Sequence, residues 1–406
     1  MHLPSVSIYF VFSAGSALVP ILALPALTRL MSPQDYGLFA LFSVIAMFVG
    51  NLFRLELNVA LKREFAERPE GIAPYLGTAF TFSTLSLVPW LLLVLAAMPF
   101  VDRIYGIPLS WVLLSVLLAY FRSQTINLHH LWQIGNRALP YGVWGLVAAI
   151  GNVGLAVVLL VLWRADWQAR AWAEWIVALA AFALTLVLLR RDYGLRWQLD
   201  GRLLRRMLTL SLPLLPSSLL GYVFMVSDRV AIAQFSTAHE LGLYSLALQL
   251  AAAVGLVFGA VLPAWESWLF TRLGPIDTRA SRLLLQRLGL LTLGSAALVI
   301  VLPWLLGLIL PLLTDRSFAG AQAYLLPCLL SAACAGLFGL ACPILVYMRR
   351  TRSIAAINGV MLAFNLPALM VCVPAWGPAG AAYGPALTFG LGTLAVLGLM
   401  LKYRLP

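Results

Sequence analysis

The chain has 406 residues, of which 62% are apolar and 10% charged, and its mean hydropathy is +0.94. That leaves too little polar surface to coat a soluble body of this length, so the sequence reads as a polytopic membrane protein. The formal net charge of +12 does not point to nucleic acid, because the cations collect in short loops between apolar runs, where they orient a membrane protein.

Twelve apolar runs are expected to cross as helices: about 7–30, 36–60, 73–98, 108–130, 139–163, 171–189, 207–235, 241–264, 286–312, 322–346, 353–373 and 379–401. Each approaches or exceeds the ~20 residues that a rise of ~1.5 Å per residue needs to cover ~30 Å of hydrocarbon. The first run is too long for a signal peptide, follows no cation and lacks a small-residue cleavage site, so it is expected to stay as a helix. Prolines punctuate several spans, Pro20 and Pro25 in the first, Pro213 and Pro216 in the seventh, Pro327 and Pro343 in the tenth, and each should kink its helix. No loop is long enough for a soluble domain.

The stretch from Leu27 to Phe48 returns later in the chain. At an offset of 205, Ser32 falls on Thr237, Gly37 on Gly242, Leu38 on Leu243, Phe39 on Tyr244 and Leu41 on Leu246. The chain therefore reads as two related lobes, 1–189 and 207–406, joined by the basic linker 190–206 with its six arginines. That linker is either a surface for anionic headgroups or simply a topology signal. The loops after the even-numbered spans, with the C-terminus, hold 19 of the 27 Lys and Arg and the opposite loops hold 5, which places both termini in the cytoplasm.

The four cysteines, Cys328, Cys334, Cys342 and Cys372, and the four histidines are scattered without ligand spacing. No metal site is expected from them.

The run ALPALTRLMSPQDYGLFAL, the segment SLPLLPSSLLGYVFMVSDRVAIAQF with ELGLYSLALQLA after it, the DRSFAGAQAYLLPCLL of Asp315–Leu330 and the VPAWGPAGAAYGPAL of Val373–Leu387 resemble polysaccharide-biosynthesis flippases of the Wzx type. These are relatives of the multidrug MATE exporters and of the lipid II flippase MurJ. The resemblance runs from about Ser13 to Met400, and the order of the motifs is more specific than any one of them. It implies an all-α polytopic fold of 12 transmembrane helices in two six-helix lobes forming a V around a central cavity. It also implies a substrate, an undecaprenyl-pyrophosphate-linked oligosaccharide repeat unit, carried from the cytoplasmic to the periplasmic leaflet of a bacterial inner membrane by alternating access. O-antigen or exopolysaccharide biosynthesis would be the setting. Membrane lipids, a polysaccharide polymerase and a chain-length regulator would be the partners.

A phosphorylated, hydroxyl-rich head can cross hydrocarbon only through a polar cavity that carries cations. Arginine suits that cavity, because its fork binds phosphate oxygens in pairs and keeps its charge when partly buried. Away from the span ends, three arginines lie inside predicted spans: Arg54, Arg122 and Arg229. Arg54 sits about 27 Å down its span by the helical rise, on a polar face with Met47, Asn51 and Asn58. Arg122 sits about 20 Å down its own, on a face with Ser115, Ala119 and His129. Arg54 and Arg122, with Asn51 and Asn58, are expected to bind the pyrophosphate; the plainer alternative is local pairing of Arg54 with Glu56, or snorkelling to headgroups.

Asp228 and Arg229 are expected either to gate ligand release or to clamp the lobes. Neighbours on a helix point about 100° apart, so they need not pair. Glu56 and Glu266 are the candidates for coupling to a proton or sodium gradient, Glu266 otherwise being an interfacial anchor between Trp265 and Trp268. No cofactor is expected.

Two rivals are weighed. A MATE-like exporter of small cations would want a cavity rich in carboxylate, whereas the spans carry as many cations as acids. A membrane polymerase or ligase would want a long extracytoplasmic loop with a nucleophile and base, and none is found. The chain is therefore not expected to be an enzyme.

Overall fold

The computed structural model describes residues 3–163, 166–272 and 278–403; the side chains of 3–7, 9–10, 51–54, 217, 271–272, 278–281 and 351 lie outside the described set. Fifteen helices make up nearly all of it. In chain order they are α1 (Leu3–Leu22), α2 (Leu24–Leu30), α3 (Pro33–Arg54), α4 (Leu57–Glu67), α5 (Ile72–Ala97), α6 (Leu109–Ile134), α7 (Ala138–Leu162), α8 (Trp167–Tyr193), α9 (Gly201–Ser211), α10 (Leu215–Phe235), α11 (Ala238–Arg272), α12 (Thr278–Leu313), α13 (Gln322–Tyr347), α14 (Thr351–Trp376) and α15 (Pro378–Lys402). A hairpin of two-residue strands, Arg103–Ile104 and Ile107–Pro108, joins α5 to α6. Eleven stretches are long and apolar enough to cross a membrane. A twelfth is counted if Gly201–Leu214 and Ser218–Phe235, bent by 50°, make one span. Helices satisfy every backbone polar group internally, which is what the hydrocarbon demands of a spanning segment.

Three expected spans are broken where the sequence gives cause. The first breaks at Ala23, and Pro25 enters α2 at a position where its missing donor costs nothing. The second, expected to run 36–60, ends as α3 at Arg54. Leu55 and Glu56 then take left-handed φ of 42° and 56°, and α4 restarts at Leu57. Glu56, Asn58, Lys62 and Arg63 make the continuation too polar to stay in hydrocarbon, so a new helix axis serves better than a longer rod. The seventh, expected at 207–235, is interrupted at Leu212–Leu214 by a 3-10 turn that contains Pro213 and is followed by Pro216. Before that turn α9 is amphipathic, with Met207 and Ser211 buried and Arg202, Arg205 and Arg206 exposed. Asp200 caps it through the amides of Arg202 and Leu203.

By contact the chain divides into one unit of Met1–Met31 with Leu38–Val223 and a second of Ser32–Gly37 with Phe224–Pro406. The linker 190–206 is grouped with the first unit because it is packed there. Its extended part passes over α5 at Gly77, where a Cβ would lie 2.4 Å from the Arg196 carbonyl oxygen. Trp197 stands edge-on to Phe80 at 5.0 Å. Arg206 pairs with the buried Glu64 of α4 at 3.4 Å and donates to the Tyr75 hydroxyl at 2.9 Å. The core beneath includes Leu61, Leu76, Phe80, Leu128, Leu131 and Leu189.

In the second unit α13 packs against α11, α12 and α15, and α14 packs on α15. Its core includes Leu269, Leu284, Leu340, Ile344 and Met400. The first turn of α3 belongs to this unit through a backbone-to-backbone approach. A Cβ on Gly242 would lie 1.7 Å from the Pro33 carbonyl oxygen, and one on Gly37 2.0 Å from that of Ala238. Tyr36 adds a hydrogen bond to Gln249 and an edge contact with Phe318 at 5.7 Å. The two glycines that the repeat superposes therefore lie against each other.

Candidate functional site

The helices of the first unit line an open cavity of about 490 Å³ whose mostly apolar wall carries a small set of charged and polar side chains. On α6, Arg122 and His129 are seven residues apart and share a face. On α8, Arg170 and Glu174 do so at a spacing of four, and α7 supplies Asn152 and α3 Ser43. Glu174, only 6% exposed, forms an ion pair with Arg122, whose side chain is 42% exposed. The Ser43 hydroxyl donates to the other Glu174 oxygen at 3.5 Å. Arg170 donates to the Asn152 side-chain oxygen at 2.5 Å and lies 4.8 Å from the centre of the Phe39 ring. His129 sits among Trp132, Tyr141 and Trp144, and its Nε2 is buried without a hydrogen-bond partner among the described residues.

Two guanidinium groups thus face one carboxylate. A buried carboxylate is tolerable only when paired, and losing the partner of such a pair costs roughly 3–5 kcal/mol when both are fully buried. Arg122 is half open to the cavity, so part of its hydrogen-bonding capacity can serve an incoming anion without stranding Glu174.

The other expected site residues fall elsewhere. Arg54 and Asn51 lie on the last turn of α3, and their side chains are outside the described residues. Asn58, on α4, stands 3.4 Å from His130 Nε2 and keeps a buried side-chain oxygen without a partner. Glu56 occupies the left-handed break as the N-cap of α4 and caps nothing with its side chain. Glu266 is half-buried on α11 and forms no hydrogen bond or ion pair among the described residues.

Asp228 and Arg229 belong to the second unit. The buried Asp228 accepts from the Tyr244 hydroxyl at 2.8 Å, which ties α10 to α11. The Arg229 amide N–H donates to the Asp228 carboxylate at 2.7 Å, while its guanidinium stays 3.8 Å from that carboxylate and donates to the Met225 carbonyl at 3.2 Å. Beside them Asn365 bridges Ser227 at 3.0 Å and Thr388 at 3.4 Å, joining α10, α14 and α15. No cluster of three His, Cys, Asp or Glu side chains occurs among the described residues.

Sequence reasoning missed Glu174, Arg170 and Asn152. Glu174 had a signal, since one acid early in the apolar run AWAEWIVALAAFALTLVLL needs a cation within reach. Arg170 falls between the expected spans 139–163 and 171–189, yet it stands in the first turn of α8. Asn365 and Thr388 carry no charge and had none.

The class these features define is a multi-pass, all-α membrane protein with the fold of lipid flippases and MATE transporters. Over 96% of this chain and 87% of the other, it superposes on the lipid II flippase MurJ in an inward closed conformation, with a TM-score of 0.75 at 12% identity. A variant of the Vibrio cholerae MATE transporter VcmN matches over 98% of this chain and 95% of that one, with a TM-score of 0.61 at 14% identity. An inward-facing multidrug resistance MATE family transporter of the MOP superfamily matches over 95% and 96%, again at 0.61 and 14%. At such identities the likeness concerns the fold. Residues 3–265 match the family described as Polysaccharide biosynthesis protein, and the chain belongs to that family. No curated protein matches the sequence.

Proposed function

We propose that this protein is a flippase that carries undecaprenyl-pyrophosphate-linked oligosaccharide repeat units from the cytoplasmic to the periplasmic leaflet of a bacterial inner membrane, with both termini in the cytoplasm. The observation that carries this reading is the cavity of the first unit. Inside a membrane-spanning helical unit of a polysaccharide-biosynthesis family member, it presents two guanidinium groups against one carboxylate. That surplus suits an anionic head better than a cationic drug. In this account Arg122 takes up phosphate oxygens with Arg54, and Asn51 and Asn58 add hydrogen bonds from α3 and α4. Asp228 and Arg229 act in release, and Glu56 and Glu266 serve coupling to a proton or sodium gradient. A polymerase and a chain-length regulator act on the product, and this chain itself makes or breaks no bond.

The test is deletion in a glycan-producing host, complemented by the wild-type gene. The expected outcome is loss of surface glycan with lipid-linked repeat units accumulating in the cytoplasmic leaflet. Single repeat units reaching the surface would instead mark a polymerase.

The fold likeness to MATE transporters keeps a second reading, a proton- or sodium-coupled exporter of small molecules. Normal surface glycan in the deletion strain, together with raised drug susceptibility, would select it.

A further inference from the structure

Glu174 is the sole acid among the described residues that line the first-unit cavity, and it stands where an anionic head would bind. Its carboxylate is held in the wall. The side chain is buried, Oε1 accepts from Nη2 of Arg122, and Oε2 accepts from Ser43 of α3 at 3.5 Å. The serine contact is at the outer limit of a hydrogen bond, so the arginine is the stronger of these two partners. Arg122 itself is half-exposed and reaches from α6 into the open side of the cavity.

A guanidinium fork receives carboxylate and phosphate in the same planar, two-point way. The ion pair therefore occupies part of the surface of Arg122 that a phosphate would use. The exposed edge of Arg122 lets a phosphate engage first, and two-point engagement then takes the face that Glu174 holds. Loss of Arg122 need not strand the buried carboxylate. Arg170 lies one turn earlier on α8 and lines the same cavity, and side chains four apart on a helix are neighbours. A nearby second cation lowers the penalty that an unpaired buried acid would carry.

We infer that Glu174 is an internal competitor of the substrate: it holds Arg122 while the cavity is empty, yields it to the phosphorylated head, and reclaims it when the head leaves. The inference rests on the flippase reading and adds to it the residue that sets the balance between capture and release. The head meets a free Arg122 only part of the time, so the observed affinity is the intrinsic one reduced by that fraction. Re-forming the pair speeds departure, and a carrier that lacked Glu174 would hold its cargo too well.

The experiment measures binding of undecaprenyl pyrophosphate to the purified full chain in nanodiscs, beside translocation of lipid-linked repeat units in membrane vesicles. Glu174→Gln should bind about tenfold more tightly, through a slower off-rate. Its translocation should fall about 3- to 10-fold as release becomes limiting. In the Arg122→Gln background the same change should alter affinity less than about twofold, because no arginine remains to compete for. Undecaprenol, which lacks the phosphates, should bind all these proteins alike. Weaker or unchanged pyrophosphate binding by Glu174→Gln would overturn the inference, as would an equal gain in both backgrounds. Should that variant be poorly produced, Glu174→Asp, whose shorter arm holds Arg122 less well, should gain about threefold, and no gain would count against the inference equally. The two readings fail separately. A wild-type protein that takes up a cationic rhodamine dye and ignores undecaprenyl pyrophosphate would sink the flippase reading itself, whereas normal pyrophosphate binding with no gain from either variant would sink only the role of Glu174.

Discussion

Arg122 and Glu174 hold each other in place, and the cost of separating them is unequal. Arg122→Gln leaves a carboxylate that is 6% exposed without its cation. It should destabilise the protein by about 1–3 kcal/mol, less than a fully buried pair because the cavity wets one side. Glu174→Gln leaves a half-exposed guanidinium that water can serve, and should cost under about 1 kcal/mol. Thermal melts of the purified variants check both, and equal melting points would mean that the pair carries no buried strain. Asp228 offers a parallel case in the second unit. Tyr244→Phe removes the side-chain donor to one oxygen of a buried carboxylate and should cost about 1–3 kcal/mol. Tyr244→Phe with Asp228→Asn should recover part of that loss, since the amide no longer carries a buried charge. A double-mutant cycle with no recovery would place the role of Asp228 outside this contact.

Among the elements, the crossing of α3 and α11 is the sharpest constraint. Gly242→Ala would drive a methyl into the Pro33 carbonyl, where neither backbone can give, so overpacking of about 1–3 kcal/mol or more is expected. Gly255→Ala on the same helix meets nothing within 4 Å and should be neutral or stabilising by about 0.4–1 kcal/mol. A melt in which the two alanines behave alike would show that the glycine contact does not form. This crossing was half legible in the sequence. The repeat put Gly37 and Gly242 at equivalent positions, but equivalence does not say that two positions touch. The helix breaks followed the same pattern. Pro213 and Pro216 announced one, whereas the left-handed pair Leu55 and Glu56 had no glycine or asparagine to announce it. The sequence also put Arg122 in a polar setting without revealing Glu174 as its counter-ion, because a pair 52 residues apart is formed by packing and leaves no local spacing to read.

At the scale of the whole molecule, apolar length, loop charge and motif order were enough to reach a polytopic flippase-like fold. They carry this information because the bilayer leaves a chain so few ways to satisfy its backbone. The proposed orientation is checked by reporter fusions: a C-terminal fluorescent fusion should glow in the cytoplasm, and a periplasm-dependent phosphatase placed after Trp376 should be active. The reverse pattern would invert the direction of transport. The central claim is that cavity cations carry the phosphorylated head. Its most direct test is the Arg122→Gln, Glu174→Gln double variant, which removes both charges together, assayed for translocation of lipid-linked repeat units in membrane vesicles. The account predicts wild-type expression and melting with translocation lowered about 10- to 100-fold, the worth of a charge-assisted phosphate contact of roughly 1.5–3 kcal/mol. Translocation at the wild-type rate by that well-folded double variant would contradict it.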